Sequence, residues 1–206
     1  MSKPTPSRLQ VGVDVPWVTS WSEEPVLGVR PCATVDGRLA LVQGERPGYG
    51  RPNYSLNHLR RQRWTVRRML CPMCGQPTPP QDRWTQTGVL TAAGVLRAKG
   101  LGHAVPADLS DARLVLNAGA IAPSHRTCAE RALKHCPHLG AMADQELLPF
   151  PDRWAILPLY VEARPPHALS ARGPVGPIPV VSFLQLCGVT QQEDPRWRRQ
   201  ALEARA

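Results

Sequence analysis

Two periodicities divide this chain. Val11-Gly12-Val13-Asp14-Val15 alternates apolar and polar or small positions, and Trp17 and Trp21 follow with large apolar surfaces, so β-structure is expected to begin at Val11. Residues 29–35 and 38–42 read as two strands flanking Asp36-Gly37, a pair that tolerates positive φ and is the strongest short-range hairpin signal in the sequence. Residues 44–54 are a Gly/Pro-rich connection. After them Ser55 is placed to cap a helix running to about Leu70.

On that helix Arg60, Arg61, Trp64, Arg67 and Arg68 fall at i, i+1, i+4, i+7 and i+8, one stripe, while Leu56, Leu59, Val66 and Met69 lie mostly opposite. An apolar face anchors the helix and an arginine face with one Trp is expected to look outward. Further on, 84–93 and 113–121 read as the strands of a hairpin, with 94–110 an insertion of unassigned structure. A helix is expected to start near His125, with Ser124 as its N-cap, and to stop at Pro137. A helical turn at 142–148, strands at 154–163 and 179–186, and a short basic helix with Trp197 in 195–206 complete the pattern. The domain organisation expected from this is a disordered 1–10, a β-rich lobe over 11–54, a basic helix plus a metal module over 55–140, and a β-containing lobe with a basic tail over 141–206.

Composition narrows the class. The chain has 206 residues, 42% hydrophobic, with 23 prolines and only 5% aromatic residues, which permits a core joined by many irregular connections. It has no apolar run long enough to span a bilayer, and its first residues lack the apolar stretch of a secretory signal, so a cytoplasmic location is expected. The formal charge is +9 and is uneven: residues 1–100 hold 14 Lys+Arg against 6 Asp+Glu, and 101–206 hold 11 against 10. Seven arginines and no acid lie between Arg46 and Leu70, a composition suited to a polyanion or an acidic partner surface.

Candidate chemistry centres on two pairs of metal-ligand type. Cys71-Pro72-Met73-Cys74-Gly75 presents two thiolates from a tight turn, and His125-Arg126-Thr127-Cys128 presents an imidazole and a thiolate at the same spacing. A structural zinc takes four such ligands in a tetrahedron, with sulfur at about 2.3 Å and nitrogen at about 2.0–2.1 Å. Gly75 lets the first pair fold back, and the second pair lies on one face of a first helical turn, where the helix dipole favours a thiolate. Cys136 lies eight residues beyond Cys128, about 12 Å of helical rise, too far to share one ion with it. It reads as a small apolar residue, as do Cys32 and Cys187. A C-x2-C turn, a hairpin and a helix bearing the other two ligands make the treble-clef arrangement, so the expected class is α+β with a treble-clef zinc core.

The matching residues Cys71, Cys74, Gly75, Pro123, Ser124, His125, Arg126, Cys128, Ala129, Ala132, Cys136 and Pro137 carry a resemblance over 71–139, about a third of the chain. That stretch resembles a group of small treble-clef zinc proteins of phages and bacteria, with an HNH-like frame. The resemblance implies a non-enzymatic accessory or regulatory factor of a phage or mobile element acting in DNA transactions, and the stripe of Arg60, Arg61, Trp64, Arg67 and Arg68 is the surface expected to bind nucleic acid or a DNA-processing enzyme. A recombination directionality factor acting on a recombinase is one such job, and a DNA-binding transcriptional regulator is an alternative. An HNH-type nuclease is the enzymatic alternative, with His103 and Asn117 as its activating and positioning residues. Against it, Gly102 stands where a carboxylate is needed and Ala129 where the helical His is needed, which leaves a catalytic metal short of ligands.

Overall fold

The structure, a computed structural model, describes residues 5–102, 105–135, 147–164 and 176–196. His103, Cys136, Trp197, the start of the turn expected at 142–148 and most of the basic tail lie outside the described residues. In chain order the elements are β1 (Thr19–Trp21), β2 (Val26–Pro31), β3 (Leu39–Gln43), β4 (Pro52–Asn57), α1 (Leu59–Arg68), β5 (Trp84–Thr85) and β6 (Val89–Ala92). There follow α2 (Ala93–Ala98), β7 (Arg113–Gly119), α3 (Arg126–His135), β8 (Leu148–Pro149), β9 (Arg153–Ala163) and β10 (Ile178–Glu193). The class is α+β, and no helix among the described residues is long and apolar enough to cross a membrane.

The chain divides into two compact units, Met1–Pro77 with Pro158–Leu184, and Thr78–Leu157 with Gln185–Ala206. The divisions between the units fall after Pro77, Leu157 and Leu184, within β9 and β10 for the last two. Much of β10 is buried, in keeping with the apolar run that marked it.

In the first unit the hairpin signal holds: β2 and β3 pair antiparallel with Pro31 opposite Leu39, and Asp36 and Gly37 adopt φ of 57° and 76°. A 3-10 turn over Ala33–Val35 shortens the strand expected at 29–35. β3 also pairs in parallel with β10, Ala40 opposite Val181. The alternating stretch at 11–15 is a turn rather than a strand. The Gln10 carbonyl accepts from the amides of Val13, Asp14 and Val15, and the Asp14 carboxylate accepts from the Gln10 amide. Gly and Asp within five residues favour that local closure over a ladder. Part of the expected disordered N-terminus is pinned, since Pro6 bridges Tyr49 and the Ser7 amide donates to Gly48 at 2.7 Å.

The basic helix begins later than expected. Ser55 belongs to β4, which pairs with β1, and His58 caps α1 by accepting from the Arg61 amide at 3.3 Å. Ser55 lies four residues before the helix start, and its hydroxyl donates to Asn53 at 2.8 Å. Met69, at φ 49°, ends the helix in the left-handed conformation and leads the chain into the C-x2-C turn.

In the second unit β6 and β7 form the expected antiparallel hairpin, Leu90 opposite Leu116, and β7 pairs on with β10, Val115 opposite Val189. Helix α2 occupies the start of the unassigned insertion. Its Ala93 and Leu96 pack with Val105, Val115, Leu157 and Cys187 in an apolar core. Burial pushes the Cys187 thiol up to about 11, so this cysteine is the apolar residue the sequence suggested.

Candidate metal centre and basic helix

The C-x2-C turn is built by backbone hydrogen bonds. The Gly75 amide donates to Cys71 at 2.8 Å and the Cys71 amide to Gln76 at 2.7 Å, while Trp17 and Val18 donate to the Met73 and Pro72 carbonyls from outside the turn. Gly75 has φ of 76°, and a Cβ there would lie 2.8 Å from Cγ of Trp17. Both the backbone conformation and the close indole exclude a side chain. Gly75→Ala is therefore expected to cost about 2 kcal/mol or more of stability and to weaken metal retention, read by denaturant titration with metal analysis of the same samples.

The other pair sits at the start of α3. His125 occupies the N-cap position, its carbonyl accepting from the Ala129 amide at 2.9 Å, and Cys128 lies on the first turn. Ser124 is not the cap: its amide and carbonyl pair with Trp84 of β5 at 2.8 and 2.9 Å, and its hydroxyl is buried without a partner among the described residues. Helix capping comes from far along the chain, where Asp82 accepts from the Arg126 amide at 2.7 Å. Arg126 also stacks over Trp84 at 4.9 Å and pairs with Glu130.

The ligand atoms of Cys71, Cys74, His125 and Cys128 all lie within 4.8 Å of one another, with Cys71 buried and the other three half-buried. A tetrahedron around one ion at ordinary Zn–S and Zn–N lengths has edges of about 3.5–3.8 Å, so the cluster needs only small adjustments to close on a metal. The donor set fits the group: three thiolates and an imidazole suit a borderline-soft divalent ion and not calcium or magnesium. The four residues can thus hold a metal ion. No disulfide forms among the described cysteines.

The arginine stripe is only partly a surface. Arg61, expected to face outward, is 1% exposed and makes a bidentate ion pair with Glu24, at 2.7 and 2.8 Å, and a further bond to the Thr19 carbonyl. Arg63 is also buried, donating to Thr34, Ser182 and Leu41. Arg60, Trp64, Arg67 and Arg68 do reach the exterior, but Arg60 pairs with Glu45, Arg67 with Asp36, and Arg68 stacks 3.7 Å over Trp64. The acids missing from the local sequence arrive from turns and loops up to 37 residues away.

Burial pushes the Cys32 thiol up, yet the Thr34 hydroxyl and amide and the Arg63 guanidinium outweigh it and hold the thiol below 9.0. Cys32 is thus a polar partner of Arg63, not an inert apolar residue. Asn117 is engaged in the sheet: its Oδ1 accepts from the Gly119 amide and from Gln185 Nε2, at 2.9 and 2.6 Å. Ala129 is fully buried on α3.

The Glu24–Arg61 pair extends to His58, which shapes the pH response. The His58 Nε2–H donates to the Gly44 carbonyl at 2.8 Å while Nδ1 accepts from the Arg61 amide, so the neutral ring satisfies both. Burial, followed by the Arg61 charge, holds this imidazole below the usual 6.5, against the weaker pull of Glu24 and Glu45. For Glu24, burial raises the carboxyl, but the Arg61 hydrogen bonds and charge, the His58 charge and the Trp21 amide lower it more, to below 4.5. In both cases the unfolded chain takes up the proton first. Their stabilisation is therefore complete above pH 6.5 and is lost on acidification, through His58 first and Glu24 below 4.5. The contribution of His58 and Glu24 to the urea midpoint is expected to be level above pH 6.5 and to fall below it, with His58→Gln removing the first part of that slope.

No protein-family model, curated protein or solved structure matches the chain.

Proposed function

We propose that the Cys71, Cys74, His125, Cys128 cluster binds one structural zinc ion in a treble-clef frame. We further propose that the chain is a non-enzymatic accessory or regulatory factor of a phage or mobile element, cytoplasmic in its bacterial host. It acts in DNA transactions by contacting a DNA-processing enzyme, a recombinase for example, or nucleic acid. The observation that carries this reading is the convergence of four protein ligands from a turn and a helix start. A zinc ion holding all four has no open position for water or substrate, so it serves folding and not catalysis. The order of C-x2-C turn, β6–β7 hairpin and ligand-bearing α3 supports the treble clef.

The exposed part of α1 favours a protein partner over naked DNA. Arg60 and Arg67 already have carboxylate neighbours and Arg68 an indole, which leaves a mixed polar and aromatic face and not a free row of phosphate contacts. The phage setting and the DNA context rest on the sequence resemblance.

The test is affinity capture from host lysate with the tagged chain, with and without nuclease, alongside a chain carrying Arg60→Ala, Trp64→Ala, Arg67→Ala and Arg68→Ala. A stoichiometric protein partner that survives nuclease and is lost from the substituted chain is the expected outcome. Recovery of nucleic acid alone, with affinity falling steeply with salt, would move the function to direct DNA binding. Divalent-metal-dependent nicking of a plasmid would overturn the non-enzymatic reading.

A further inference from the structure

Within the first unit β1 and β4 form a two-stranded sheet with an irregular register. Thr19 faces Asn57, but the next residue, Ser20, faces Asn53, so Tyr54, Ser55 and Leu56 have no cross-strand partner among the described residues. These three residues border a cleft of about 550 Å³ that is also lined by Trp21, Val26, Gln43 and Arg51. Tyr54, Leu56 and Val26 are 64%, 55% and 59% exposed, an apolar group that is large for one open cleft.

The polar groups of this cleft are mostly committed inside the protein. Glu24, which also lines it, is neutralised by Arg61 and accepts from the Trp21 and Arg46 amides. The Gln43 amide bonds Ser20, the Glu24 carbonyl and the Leu59 amide. Asn53 accepts from the Ser55 hydroxyl. What remains is the exposed guanidinium of Arg51, which has no carboxylate partner among the described residues, beside the apolar wall and β4, which pairs with β1 alone among the described residues. The first unit also carries the arginine excess of the chain.

We propose that this cleft binds an extended acidic segment of a protein partner, which adds to β4 as a strand along Tyr54-Ser55-Leu56. Apolar residues of the segment rest on Tyr54, Leu56 and Val26, and a carboxylate reaches Arg51. Strand addition draws affinity from backbone hydrogen bonds and specificity from alternate side chains, and both kinds of group are present here. One free guanidinium suits a single carboxylate and is too little for a phosphate backbone. The inference stands apart from the metal and from the α1 face, so either can fail without the other.

The test uses the full chain and two N-labelled octapeptides, one alternating valine with glutamate and one alternating valine with lysine, followed by fluorescence anisotropy. The glutamate peptide is expected to bind and the lysine peptide to bind at least tenfold more weakly. Arg51→Glu, on the exposed surface, is expected to invert that order, a change of about tenfold or more in Kd. N-methylation of alternate peptide amides is expected to abolish binding while leaving charge unchanged, which separates strand addition from simple charge attraction. Leu56→Asp should remove binding with the thermal midpoint retained. Equal binding of both peptides, indifference to Arg51→Glu, or retention by the N-methylated peptide would overturn the proposal. So would displacement of the peptide by a thymidine 20-mer, or concentration-dependent dimerisation abolished by Leu56→Asp, since these would assign the cleft to nucleic acid or to a second copy.

Discussion

Cys71→Ala is expected to yield a chain that does not accumulate as folded protein, and chelation of the wild type is expected to unfold it. Cys71 is the fully buried member of the four-ligand cluster, held by backbone bonds on both sides of the turn. Its loss leaves three ligands around a metal that needs four. Structural zinc sites contribute about 10–16 kcal/mol of apparent binding free energy in small zinc modules, whereas whole domains are stable by only about 5–15 kcal/mol. Metal binding on that scale is folding free energy. The measurement is metal content by mass spectrometry on the purified chain, with circular dichroism before and after chelation and on re-addition of zinc. Zinc at one ion per chain, lost together with secondary structure and regained with it, is the expected result. Cys32→Ala is the control, since Cys32 bonds Thr34 and Arg63 and should change stability without changing metal content. A chain of equal stability with and without metal would leave the cluster as packing alone.

Glu24→Gln is expected to destabilise the protein by about 3–5 kcal/mol, the usual cost of removing one partner from a buried ion pair. Both side chains are essentially inaccessible, and Glu24 is the acid that neutralises Arg61 while accepting the amides of Trp21 and Arg46. Glutamine keeps the shape but leaves a buried guanidinium without its counter-charge. The size of the effect measures what remains unpaired and not the net worth of the pair. Replacing both partners, Glu24→Leu with Arg61→Met, should recover much of the loss, because no charge is then left in the interior. Urea titration of the single and double variants gives the coupling directly. The outcome also bears on function: Arg61→Ala in a partner-capture experiment would read folding, whereas Arg60, Arg67 and Arg68 lie on the surface.

The comparison of Arg60 with Arg61 shows where local sequence stops being informative. Neighbours on a helix differ by about 100° in direction, so a five-residue stripe spans both the margin of the buried face and the exterior. Which side of that margin Arg61 occupies depends on Glu24, 37 residues earlier and with no local signal to announce it. Cys32 likewise reads as apolar until Arg63 and Thr34 are placed against it. Ser55 and Ser124 both have the side chain of an N-cap, yet neither serves as one: Ser55 is claimed by β4, and the start of α3 is served by Asp82. Gly75 is the opposite case. Its need for positive φ follows from the two cysteines before it, although the Trp17 indole that closes the space is a tertiary fact.

The sequence by itself determined the features whose causes are local. These are the two ligand pairs, whose three-residue spacing lets each present two donors in one direction, and the Asp36-Gly37 turn, whose residues accept positive φ. The β6–β7 hairpin and the ligand-bearing helix were also marked, because periodicity and breakers act over a few residues. Only the tertiary structure decided which charges are buried, which serines cap, and how the C-terminal strands are divided between the two units. Those outcomes depend on groups far apart in the chain, whose pairing energies are comparable with the local preferences they override.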